Sequence, residues 1–352
     1  MKIKHIYWFA PYNLTCPSTR YRGKLPLELL KQEHKITNDF IYPERNWQDI
    51  LRFLKIFFTI LFFRKDGSLI VIQKVISNRL YANLLKVLII VHSRKTLCDI
   101  DDAEYYRTST QTLHFFLRRC ETISVSSQVL KDYCSKFNQN IIELTSPVPI
   151  HSHHKTTRNQ KFTVGWVGDF GNGHDVSKDF SHKANMYQLL FPQLLELNFQ
   201  FQLTLIGIKK ESDMQEISDY FKSKPNIQIN IPTHLHWSND KWLYPMISQF
   251  DIGVSPMLDH PFNQAKSAFK AKQYLSCGIP VVASDIGENR RFVIDGFNGT
   301  LCQNSNDFGK AIEYFYKITP EEYTVFSKNA LEDIDDFSVE RYCEKLLFHL
   351  NS

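Results

Sequence analysis

Residues 266 to 284 read KSAFKAKQYLSCGIPVVAS, which places two lysines four residues apart ahead of a Gly-Ile-Pro turn and a burst of valine. On a helix of about 3.6 residues per turn, Lys266, Lys270, Gln273 and Cys277 share one arc while Ala268, Ala271 and Leu275 lie opposite. The spacing therefore predicts a short helix with a basic face and an apolar face. Like charges so placed repel by about 0.2–0.5 kcal/mol. An anion held between the two ammonium groups converts that cost into a binding site; a solvated lysine face is the plainer alternative.

A second cationic stretch, PSTRYRGKLP (17–26), carries Arg20, Arg22 and Lys24 directly after the first strand pattern. Read as a loop at the carboxyl end of that strand, it presents its cations to a diphosphate or an anionic acceptor, or else stands solvated. Asp101 and Asp102 close the strand pattern KTLCDID. Neighbours on an extended chain point to opposite faces, so they are not expected to act as one acid–base pair; one can face a ligand, or both can cap the next helix. Gly165, Gly168, Gly171 and Gly173 fit neither a dinucleotide fingerprint nor a Walker loop, which leaves a turn or a close approach of backbone N–H groups to a phosphate. The histidines of HSHH (151–154) and THLHW (233–237) have no third ligand at a suitable spacing, so no metal is expected.

These residues need elements to hold them. Strand patterns at 5–10, 69–75, 95–101 and 122–127, then at 162–168, 201–207, 227–232, 251–256 and 280–284, alternate with helical stretches such as 105–119, 183–198, 211–223 and 308–317. That alternation predicts an α/β chain of two Rossmann-like, doubly wound domains facing across a cleft. The length of 352 residues suits domains at 1–150 and 162–337, a linker at 151–161, and a C-terminal helix from about 338 that packs back on the first domain. Seven cysteines without a Cys-x-x-Cys pair point to a reducing, cytoplasmic setting.

Charge is unevenly shared: residues 1–155 hold 23 Lys and Arg against 13 Asp and Glu, and the remainder 19 against 24. A basic first half suits an anionic partner, and no nucleic-acid-binding pattern is present, which leaves the inner face of a membrane. The stretch LRFLKIFFTILFF (51–63) has 13 residues, too few to span a bilayer. Beside Arg52, Lys55 and Arg64 it reads either as a peripheral membrane contact or as a core helix.

The second half, with GWVG (165–168), Trp237, FDIGVSPMLD (250–259) and KSAFKAKQYLSCGIPVVASDIGENRRFVIDGFNGTL (266–301), resembles glycosyltransferase family 4, retaining enzymes of the GT-B fold. It is most similar to the bacterial branch with a K-x-x-x-K-x-x-Q-Y core; PSTRYR and CDIDDAEYY agree more loosely. The resemblance implies a metal-independent transfer from a nucleotide-sugar to a saccharide acceptor, lipid-linked or free, in bacterial surface-polysaccharide assembly. Lys266 and Lys270 would face the donor diphosphate, with Gly168, Gln273, Ser284, Gly287, Glu288 and Asn289 around the donor, and Asp101 or Asp102 near the reacting sugar. Many members carry two glutamates eight residues apart where this chain has Ala265 and Gln273. An inactive binding or scaffold protein of the same fold, or a nucleotide-sugar epimerase, remains the alternative.

Overall fold

The computed structural model describes residues 2–42, 46–74, 78–106, 110–151, 154–171, 180–234, 236 and 239–351. Val75, Gly173 and Trp237, together with parts of both histidine clusters, lie outside the described residues. The chain forms two compact units, one of Met1–Pro149, Ala265–Ser267 and Asp335–Ser352, the other of Ile150–Gln264 and Ala268–Ile334.

Unit 1 is built on β1 (His5–Phe9), β2 (Thr37–Ile41), β3 (Ser68–Gln73), β4 (Thr96–Ile100), β5 (Thr122–Val125) and β6 (Ile141–Glu143). All pairings are parallel, in the order β2-β1-β3-β4-β5-β6. Every residue of β1, β3 and β4 is buried, as strands covered by helices on both faces require. A π-helical stretch (Thr19–Lys24) runs into α1 (Leu25–His34), followed by α2 (Trp47–Phe63), α3 (Arg79–Val91), α4 (Thr110–Arg119) and α5 (Gln128–Cys134).

Unit 2 carries β7 (Thr163–Val167), β8 (Phe201–Ile206), β9 (Ile227–Asn230), β10 (Ile252–Ser255), β11 (Val281–Ser284) and β12 (Gly299–Cys302), again parallel, in the order β12-β11-β10-β7-β8-β9. Its helices are α6 (His182–Asn185), α7 (Phe191–Leu195), α8 (Glu211–Phe221), α9 (Asp240–Ile247), α10 (Pro261–Gln264), α11 (Phe269–Leu275), α12 (Asn289–Phe292), α13 (Ser305–Lys317) and α14 (Pro320–Ala330). The chain then returns to unit 1 as α15 (Val339–Asn351), whose Val339, Tyr342, Cys343 and Leu346 join Ile6, Trp8, Leu27 and Leu30 in one core. Burying each such side chain stabilises the unit by roughly 1.5–3 kcal/mol.

Each predicted strand is present, most of them shorter by one or two residues, while β3 begins one residue early at Ser68. Three strands had no predicted counterpart: β2, β6 and β12. All three are sheet edges, short and partly exposed, so they carry no continuous apolar run to mark them. Within the segment 151–161, Lys155 is buried, its Nζ lies 3.1 Å from Asp251 Oδ1, and its N–H donates to Cys277 O at 2.8 Å. Among the described residues no helix is long and apolar enough to cross a membrane.

Candidate active site

In doubly wound sheets ligands settle at the carboxyl edge where strand order reverses. In unit 2 that point lies between β7 and β10, which pair only at Val164–Ile252 and Gly165–Gly253. Beyond these pairs the strands part, and the buried hydroxyl of Tyr274 on α11 fills the gap. It accepts from Val167 N–H at 3.0 Å and donates to Val254 O at 3.3 Å. Glycine is required in both strands beneath, since a Cβ at Gly165 would stand 1.9 Å from Phe250 and one at Gly253 2.2 Å from Tyr274.

Lys270, on the first turn of α11, reaches this edge. Its Nζ lies 3.0 Å from His182 Nε2 and 5.9 Å from the centre of the Trp166 ring. His182 Nδ1 is 2.8 Å from Asp169 O. A carbonyl only accepts, so Nδ1 carries the hydrogen and Nε2 offers a lone pair to the Lys270 ammonium. The imidazole thus aims the cation rather than competing with it. Gly168 supplies room: a Cβ there would be 2.6 Å from Trp166 and 3.0 Å from Lys270. Its own N–H is spent on Ile206 O at 2.9 Å, so the reading of Gly168 as a backbone phosphate donor does not hold.

Lys266 departs from the expected geometry. Ala268 adopts a left-handed conformation (φ 51°) and α11 starts after it, so Lys266 precedes the helix and shares no helical arc with Lys270. Its neighbours are fixed within unit 1: Ala265 O accepts from Ser127 Oγ at 2.7 Å, and Ser267 Oγ lies 3.1 Å from Ser146 Oγ. Gln273 is buried on α11. Ser284 closes β11, its Oγ accepting from Met257 N–H at 2.8 Å and its carbonyl from Asn289 Nδ2 at 2.9 Å. Gly287 (φ +50°) sits where a Cβ would stand 2.4 Å from Gln264 O, and Glu288 lies 3.4 Å from Arg291.

Unit 1 holds a separate cluster. Lys74, directly after β3 and left-handed (φ 55°), is buried with its Nζ 2.9 Å from Asp101, 2.7 Å from Asp102 and 3.8 Å from Glu104. Asp101 and Asp102 were expected on opposite faces. The chain leaves the strand after Ile100, and both carboxylates turn onto one ammonium. Burial alone would pull the Lys74 ammonium down, yet the three carboxylates outweigh it and hold it well above its ordinary value. One cation cannot neutralise two buried carboxylates and a partly exposed third, and burial raises the Asp101 carboxyl against the pull of Lys74. Lys74 itself was read only as part of an apolar strand.

Arg20 and Arg22 are interior residues, not loop cations. Arg22 is fully buried; Nε donates to Asp99 Oδ2 at 2.9 Å, Nη2 to Asp99 Oδ1, and Nη1 to Leu144 O at 2.7 Å. Its guanidinium stacks 5.5 Å from the Tyr342 ring of α15. Arg20 donates to Leu14 O at 2.8 Å. Neither is turned to an incoming diphosphate. A guanidinium surrounded by backbone carbonyls and a carboxylate is a structural tie. Among the described residues no group of three or more His, Cys, Asp or Glu is arranged to hold a metal.

Residues 164–317, which contain the β7–β10 edge, match the family described as Glycosyl transferases group 1. No curated protein matches the chain. Among solved structures it is similar to HepE of Anabaena in complex with UDP-glucose, at a TM-score of 0.67 and 14% identity over 99% of both chains. It is similar too to sucrose-phosphate synthase from Thermosynechococcus elongatus, at 0.70 and 14% over 97% of each. A glycosyltransferase from Rickettsia africae matches at 0.67 and 10%, covering 100% of this chain and 98% of that one. Such identities speak for fold, and the fold is GT-B: two Rossmann-like α/β units in one chain.

Proposed function

We propose that the chain is a retaining, metal-independent glycosyltransferase that moves a sugar from a nucleotide-sugar to a saccharide acceptor, lipid-linked or free, in the cytoplasmic assembly of a bacterial surface polysaccharide. The observation that carries this reading is the Lys270 ammonium held by His182 beside Trp166 at the β7–β10 edge, inside the segment that matches group 1 glycosyl transferases. Two of the similar structures hold UDP and UDP-glucose. When the donor breaks, negative charge grows on the leaving diphosphate oxygen, and a cation fixed beforehand stabilises it without reorganisation. Lys270 fills that role and Lys266 assists it. In unit 2 Ser284 and Asn289 frame the donor; the resemblance assigns Asp101 or Asp102, held by Lys74 in unit 1, to the reacting sugar.

Ala265 favours a second reading, a binding protein that holds a nucleotide-sugar without turning it over, because a carboxylate is lost where many relatives keep one. Incubation with UDP-, GDP- and dTDP-sugars, with and without oligosaccharide acceptors, separates the readings. Transfer with retained anomeric configuration supports ours. Nucleotide binding without product supports the binder, and conversion of the donor with no acceptor present identifies an epimerase.

A further inference from the structure

A surface helix of a globular domain turns its polar residues outward, whereas α2 turns large apolar ones outward as well. It buries Phe53, Ile56, Phe57 and Ile60 in unit 1, while the opposite face repeats Trp47, Leu51, Phe58 and Phe62 at helical spacing and ends on Phe63. Trp47 is 79% exposed and Phe63 78%. The sequence left this helix as either core or membrane contact; the structure shows one face doing the first and leaves the other outward. Beside it packs α3, with Leu80, Ile90 and Val91 exposed. Arg64, just past α2, bonds the turn that follows α3, its Nη1 donating to Arg94 O at 2.9 Å and Nη2 to Lys95 O at 3.0 Å. The two apolar rows are therefore parts of a single surface.

Its charge is as one-sided as its greasiness. Arg52, Lys55, Lys65, Arg79, Lys86 and Arg94 lie on or next to these helices, whereas Asp49 and Asp66 are the acidic residues of the whole stretch 46–95. We propose that the outward faces of α2 and α3 form one docking surface for a bilayer that contains anionic phospholipids. Aromatic and aliphatic side chains enter the boundary between headgroups and acyl chains while the surrounding cations meet the phosphates. A second copy of this chain fits poorly, because pairing the face with itself sets cations against cations. An uncharged apolar partner would leave those cations unneutralised. The helix lies in the plane of the interface, since its 17 residues include Asp49, Arg52 and Lys55.

The inference stands on this surface alone and not on the transfer reading, so its test uses no sugar. The full chain is sedimented with vesicles of phosphatidylcholine and of phosphatidylcholine with phosphatidylglycerol, at low and high salt. We expect binding to the anionic vesicles at least tenfold tighter than to the neutral ones, and weakened by salt. Replacing Lys55 and Lys65 together by Gln should cost about 25-fold, near fivefold for each cation. Phe58→Gln with Phe62→Gln should cost at least tenfold at either salt, with an unchanged circular dichroism spectrum, since both side chains are exposed. No binding by the wild type, equal binding to both vesicles, or an undiminished aromatic double variant each overturns the proposal. So does self-association that the aromatic substitutions abolish, which assigns the face to a second copy.

Discussion

A lysine contributes to catalysis through where its ammonium is fixed, and Lys270 is fixed beside the Nε2 of His182. Lys270→Ala should lower kcat/KM about a hundredfold, near 3 kcal/mol of transition-state stabilisation, with little change in thermal midpoint. Steady-state kinetics on the folded variant checks this, and wild-type turnover would remove Lys270 from the mechanism. Lys266→Ala should reduce turnover too if the half-buried lysine before α11 shares the diphosphate. In unit 1 the testable feature is the proton on Asp101. Its folded carboxyl sits above the ordinary value of 3.8, so the folded state grips that proton more tightly than the unfolded chain does. The sign follows: this group favours folding below the raised value and costs stability as pH rises through it. Asp101→Asn should remove that decline, so the difference in urea midpoint between variant and wild type grows as pH rises above the ordinary value of 3.8. A difference that stays flat would show that Asp101 is ionised throughout.

Elements explain why some of these residues were legible and others were not. The central strands announce themselves as unbroken apolar runs such as LIVI in β3, because parallel strands are buried on both faces. The edges β2, β6 and β12 carry no such run. Cations at 20 and 22 read as solvated because charge predicts exposure, and nothing near them in sequence discloses Asp99, 77 residues on from Arg22. That partner is set by sheet order, which places β4 beside β3, and by α15 returning to cover the pair with Tyr342. Lys74 meets Asp101 for the same reason, through the register of Gln73 against Asp99. The helical arc proposed for Lys266 failed at Ala268, whose left-handed backbone no alanine advertises. His182 and Tyr274 act through hydrogen bonds, two apiece, that periodicity does not reveal. Arg22→Ala should therefore destabilise the protein by about 3–5 kcal/mol, the usual result of stranding a buried carboxylate. Arg20→Ala should cost only about 1–2 kcal/mol, for lost hydrogen bonds to carbonyls. Urea unfolding distinguishes the two, and a fully stable Arg22→Ala protein that had merely lost diphosphate affinity would restore the sequence reading.

At the scale of the whole molecule the two sheets differ in where their order reverses, at β1–β3 in unit 1 and at β7–β10 in unit 2. In unit 2 that edge carries a fixed lysine, an aromatic floor and glycines that clear the ground above them. A nucleoside diphosphate should therefore stabilise the folded chain through unit 2. A ligand that binds only the folded state adds RT ln(1 + [L]/Kd), about 2.7 kcal/mol at a hundredfold excess over Kd, which corresponds to roughly 5–10 °C for a unit of this size. The expected pattern is a raised midpoint with UDP or GDP, a much smaller rise in Lys270→Ala, and an unaltered rise in the variant lacking Lys55 and Lys65, both of which belong to unit 1. EDTA should leave the shift in place if the ammonium of Lys270 neutralises the diphosphate. A shift that disappears with EDTA and returns with Mg²⁺ would instead make a divalent ion the neutralising charge, and no shift with any nucleoside diphosphate at millimolar concentration would remove the donor site from unit 2.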